Sequence, residues 1–125
     1  MAKTFDEHLA KGISLLEAGD YKKGCASFKK CTELEPLNPE GFFNLGDALA
    51  AEEKPEEAID AYLQGLKLAP EDTEAMTALG DIYFELGRHK DALKTYHRVV
   101  ELAPRDADGY VNIGLVYNSM ERTNE

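Results

Sequence analysis

Gly12, Gly46, Gly80 and Gly114 stand at one constant step of 34 residues, and Pro36, Pro70 and Pro104 keep the same step. Two further kinds of position share it. A small residue recurs as Gly24, Ala58 and Ala92, and an aromatic follows four residues later as Phe28, Tyr62 and Tyr96. A chain that repeats itself at such a period builds the same supersecondary unit each time, and no unit can bury its apolar face alone. The period sets repeats at 5–38, 39–72 and 73–106, with a partial fourth repeat or capping helix at 107–125, all within a single domain 1–125.

Each unit reads as two helices. Asn38, Asp72 and Asp106 are placed to cap a first helix, in which apolar residues recur three and four apart. A turn such as "EAGDY", "EEKPE" or "ELGRH" breaks the run, and a second amphipathic helix continues until the proline. The repeated glycine lets one helix approach another closely, at a propensity cost of about 1 kcal/mol. Ala58 and Ala92 act similarly, while Phe28, Tyr62 and Tyr96 are expected to fill the space between units. The fourth unit is expected to form one helix from Ala107 to about Met120, then a turn matching "EEKPEE". Val116, Tyr117 and Met120 read as a face awaiting a partner, so the chain is expected to be a fragment of a longer array.

This arrangement is similar to the tetratricopeptide repeat. The motif is carried by Leu45, Gly46, Leu49, Ala58, Tyr62 and Pro70, and again by Leu79, Gly80, Tyr83, Ala92, Tyr96 and Pro104. Gly12, Leu15, Gly24, Phe28 and Pro36 carry it more loosely, with Lys11 where a leucine is usual. The resemblance implies an all-α, right-handed superhelical solenoid whose first helices line a concave groove for peptides. It assigns to that groove Leu9, Ile13, Phe43, Asn44, Asp47, Thr77, Asp81, Phe84, Val111, Asn112 and Leu115.

Charge indicates what such a groove would hold. The first helices, taken as residues 5–18, 39–52, 73–86 and 107–120, contain ten acids and one base, Lys11, whereas the second helices are nearly balanced. An acidic groove beside apolar side chains suits a basic or amphipathic protein segment. In chaperone-binding members of the family, Lys, Arg and Asn side chains grip the C-terminal carboxylate of Hsp70 or Hsp90. Here the matching positions are Leu9, Ile13, Asn44, Glu74 and Ala78, of which only Asn44 agrees, and that ligand is not expected. A net charge of −10 also argues against nucleic acid.

Catalysis finds no constellation to rest on, and neither a cofactor nor a metal is expected. His8, His89 and His97 fall on a packing position, a turn and an outer face, and do not converge. Cys31 stands where the family usually carries alanine and reads as a small buried hydrophobe, with Cys25 on another side of the same helix. No run reaches the ~20 apolar residues of a membrane span, and the N-terminal residues lack a signal-peptide core. The expectation is a cytoplasmic, non-catalytic scaffold or adaptor. The alternatives are self-association, with a basic second helix entering the groove of a neighbour, or a regulatory fragment of a larger protein.

Overall fold

The computed structural model describes residues 3–124, which form seven α-helices. Contacts divide the chain into two compact units, one ending at Pro70 and one beginning at Glu71. The first holds α1 (Phe5–Glu17), α2 (Tyr21–Leu34), α3 (Pro39–Ala51) and α4 (Pro55–Leu68). The second holds α5 (Thr73–Glu85), α6 (His89–Leu102) and α7 (Ala107–Asn124).

The helices begin and end where local chemistry directs. Thr4 opens α1 with a capping box: its Oγ1 accepts from the Glu7 amide at 3.2 Å, while Glu7 Oε1 accepts from the Thr4 amide at 3.4 Å. Asn38 accepts from the Glu40 amide, Asp72 from Ala75 and Asp106 from Asp108, so all three expected caps are made. Helices α2, α4 and α6 stop two residues short of their prolines. Glu35, Ala69 and Ala103 cap them in one shared non-helical conformation, because the residue before proline is driven out of the α region.

The turn inside each repeat is also one structure made three times. The amides of Asp20, Lys54 and Arg88 reach back to the carbonyls of Leu15, Leu49 and Tyr83 at 2.8–2.9 Å, closing a Schellman turn. The preceding residue is left-handed each time: Gly19 at φ 82°, Glu53 at 62° and Gly87 at 74°. The fourth repeat departs from expectation here. Its equivalent residue is Glu121, and α7 runs on to Asn124 without a turn. Repeats one and three turn on a glycine, and repeat two follows Glu53 with Pro55, which cannot extend α3. Met120-Glu121-Arg122 offers neither device.

Within the first unit α1 lies against α2, α2 against α3, and α3 against α4. Phe28, Cys31, Leu49, Ala58 and Tyr62 are buried there. The second unit packs α6 between α5 and α7, around Ala92, Tyr96 and Val116, with Tyr83, Phe84, Leu93, Ile113 and Met120 against them. This corrects one expectation and extends another. Val116 is fully buried and Met120 half-buried, because their side of α7 turns toward α6; only Tyr117 of the expected face is open, at 49%. The repeated aromatics do more than fill space between repeats, although Tyr96 does meet Val116 of the fourth. Each lies on the glycine of its own repeat, and a Cβ on Gly12, Gly46 or Gly80 would come within 3.0 Å of the ring of Phe28, Tyr62 or Tyr96.

Candidate functional site

The aromatic seats create a polar link beside the glycines. In α3 and α5 the residue after the glycine is an aspartate, and it faces the hydroxyl end of the ring that covers the glycine. Tyr62 Oη donates to Asp47 Oδ1, and Tyr96 Oη donates to Asp81 Oδ1, the latter at 2.5 Å. Burial first, then this hydrogen bond and the carboxylate's charge, raise the Tyr96 hydroxyl above its ordinary value, so it stays protonated and donating. In α1 the pair changes as a unit: Ile13 follows Gly12, and the covering ring is Phe28, which has no hydroxyl to satisfy.

In the second unit this link borders a pocket of about 190 Å³ lined by Asp81, Phe84, Glu85, Tyr96, Asn112 and Leu115. Helices α5, α6 and α7 all contribute. The Phe84 ring is held by an edge-on contact with His89, centroids 6.4 Å apart at 77°, and His89 Nε2 lies 3.3 Å from Ser119 Oγ. The space is small for a drug-sized ligand and of a scale for one long side chain. Asp81 and Glu85 are exposed, whereas Tyr96 is buried, so two carboxylates edge an aromatic wall. The first unit repeats the link at Asp47 without this pairing of acids, since Ala51 stands where α5 has Glu85.

Of the residues assigned to a groove from the sequence, Asp81, Phe84, Asn112 and Leu115 meet at this pocket. Thr77 and Val111 do not line it. Thr77 Oγ1 donates to the Thr73 carbonyl at 2.8 Å, and Val111 is 58% exposed. In the first unit Leu9 is half-buried and Ile13 exposed. Asn44 Nδ2 donates to the Glu40 carbonyl at 2.9 Å, within its own helix. The Phe43 ring lies on Gly65 of α4, so it serves helix packing. Sequence reading missed Glu85 and treated Tyr96 as packing alone. The constant spacing of Asp47 to Tyr62 and Asp81 to Tyr96 was the available signal.

The cysteines are placed structurally. Cys31 is fully buried and donates to the Phe5 carbonyl at 3.7 Å, while Cys25 donates to Glu52 Oε2 at 3.5 Å. Burial raises both thiols, the Cys25 thiol to about 11 with the Glu52 hydrogen bond adding to the effect. Among the described residues no three His, Cys, Asp or Glu side chains gather as a metal set, and no helix is long and apolar enough to cross a membrane.

Known proteins with this arrangement are numerous. A structure of MamA residues 41 to the end from Desulfovibrio magneticus RS-1 superposes with a TM-score of 0.88 at 26% identity, over 98% of this chain and 69% of that one. The first TPR domain of human RPAP3 gives 0.87 at 21% identity, over 97% and 95% of the two chains. The first TPR of Spaghetti (RPAP3) bound to the HSP90 peptide SRMEEVD gives 0.87 at 22%, over 94% of each. A search of curated protein sequences finds no significant match. Family models described as "Tetratricopeptide repeat" and "TPR repeat" match residues 9–73 and 80–120. With paired helices, glycine seats and Schellman turns recurring at one period, and more than half of the sequence matched, the chain belongs to the tetratricopeptide repeat family, an all-α fold of helix-turn-helix units.

Proposed function

We propose that this chain is a non-catalytic, cytoplasmic interaction module that holds a basic or amphipathic segment of another protein, with a lysine or arginine side chain entering the pocket at Asp81 and Glu85. The observation that carries the reading is the meeting of two exposed carboxylates with Phe84, Leu115 and the Tyr96 ring in one space. A long cationic side chain suits that combination, because its methylenes cover apolar surface while its head stays with the carboxylates. Peptide binding accords with the structural neighbour that holds SRMEEVD. Its peptide is acidic, however, and Glu74 and Asp81 would repel one here.

In the second unit Thr77 and Val111 would extend the contact along the segment beyond the pocket. An array of amphipathic peptides carrying lysine and arginine, neutral residues or glutamate tests this with the full chain. Basic peptides should be retained, and the double variant Asp81→Asn, Glu85→Gln should lose them by about tenfold, as expected for removing charge partners worth 1–3 kcal/mol. The Asp81→Asn change should leave the local fold intact, because the amide oxygen still accepts from the Tyr96 hydroxyl. Equal retention of basic and acidic peptides, or unchanged binding by the double variant, would remove the pocket from the function.

A further inference from the structure

The glycine seats are three internal templates for how a helix docks on this chain, and α7 carries a fourth seat with no ring in it. Among the described residues a Cβ on Gly114 meets nothing within 4 Å, whereas Gly12, Gly46 and Gly80 are each covered by an aromatic. The side chains around the open seat are apolar: Tyr110, Val111, Leu115 and Tyr117 are 49–58% exposed. Of the counterparts one period earlier, Met76 is buried and Tyr83 packs against Ala92 and Tyr96, with Gly80 buried beneath the Tyr96 ring, whereas Thr77 is half-buried and Asp81 stays exposed on the pocket side. The open side lies away from Val116, which is fully buried in the second unit.

The templates also specify the occupant. Where aspartate follows the glycine, the seated ring is tyrosine and its hydroxyl is bound; where Ile13 follows, the ring is Phe28. Leu115 follows Gly114, so the fourth seat matches a ring without a hydroxyl. A small residue precedes the ring by four in every template, as Gly24, Ala58 or Ala92, which lets the incoming helix lie close. A folded second copy cannot supply the ring, because Phe28, Tyr62 and Tyr96 are each buried on the glycine of their own repeat. Exposed Asp108 and Glu121 of α7 against one base, Arg122, make a basic helix of another protein complementary.

We propose that the Gly114 face of α7 docks a basic amphipathic helix of a partner protein, which seats a phenylalanine over Gly114 with a small residue four positions before it. The site shares Leu115 with the Asp81 pocket but is defined by Gly114, which does not line that pocket.

The probe is a labelled synthetic peptide with the sequence of residues 20–36, which contains Phe28 and four lysines, its cysteines changed by Cys25→Ala and Cys31→Ala. Its binding to the full chain is read by fluorescence polarisation. The parent peptide should bind, Phe28→Ala in the peptide should weaken it by about tenfold, and Phe28→Tyr should weaken it by several-fold through an unpaired hydroxyl. Gly114→Leu in the chain should reduce binding by about tenfold or more by filling the seat. That variant should melt no lower than wild type, since an exposed helical glycine is replaced by a better helix former. Leu115→Asp should reverse the preference between the Phe and Tyr peptides. Absence of binding, or binding indifferent to Gly114→Leu, overturns the proposal. So does a dimer in sedimentation that Gly114→Leu dissolves, because a second copy would then be the occupant.

Discussion

Tyr96 joins packing to polarity in one side chain. Its ring covers Gly80 and its hydroxyl holds Asp81, so a residue of the second unit's core also positions a carboxylate at the pocket. Tyr96→Phe keeps the ring and removes the hydrogen bond. The variant should lose about 1 kcal/mol in urea unfolding, below the ~1.5–3 kcal/mol usual for a bond to a charged group because Asp81 can rehydrate. An unchanged midpoint would show that the bond contributes nothing to stability. Cys25 makes a pH-dependent contribution. Its thiol, normally near 9.0, is raised to about 11, first by burial and then by Glu52. The folded chain therefore holds this proton more tightly than the unfolded one. The contribution is complete below pH 9 and is lost as pH rises from 9 to about 11. The urea midpoint should fall across that window, and Cys25→Ala should make the fall shallower; an identical slope in the variant would assign the loss to other groups.

At the scale of elements, repeat boundaries depend on whether a turn residue can take a left-handed conformation. Glycine does so freely at Gly19 and Gly87, but Glu53 takes φ 62° with a Cβ that conflicts with its own backbone. Glu53→Gly should stabilise the chain by about 0.5–1 kcal/mol in thermal or urea unfolding, the strain relieved being partly offset by the freer unfolded chain. A loss of stability would mean that the side chain makes contacts outweighing the strain. The same comparison explains α7. With neither glycine at 121 nor proline soon after it, nothing stops the helix, and α7 is 18 residues long where α1, α3 and α5 have 13. Helical phase then decides which of its apolar residues are covered. Val116 faces the second unit's core while Tyr110, Val111 and Leu115, on the other side, remain open.

For the molecule as a whole, the sorting of acids onto the first helix of each repeat is partly a structural requirement. Glu7 closes a capping box, Asp47 and Asp81 accept tyrosine hydroxyls, and Glu52 accepts the Cys25 thiol. Surface ion pairs do little to offset the net charge of −10: Lys23–Asp20, Lys30–Glu33 and Arg98–Glu101 are exposed pairs between neighbouring turns, each worth at most about 0.5 kcal/mol. Asp81 and Glu85 of α5 set two carboxylates at the edge of a pocket to which α6 and α7 also contribute. The number of helices, the caps at Asn38, Asp72 and Asp106, the stops before proline and the close approach at Gly12, Gly46 and Gly80 were legible from spacing alone, because they are decided by residues within one turn or by a period that repeats them. Partners across helices were not legible. That Tyr62 and Tyr96 bind Asp47 and Asp81, that Phe43 is occupied by Gly65, and that Val116 is covered while Gly114 is open all depend on where one helix lies against another. Sequence by itself determined the repeating unit, since backbone conformation and capping are local. Tertiary structure decided which side chains of that unit are engaged in holding helices together and which are left to meet a partner, since that follows from the distance between surfaces that the chain brings together only on folding.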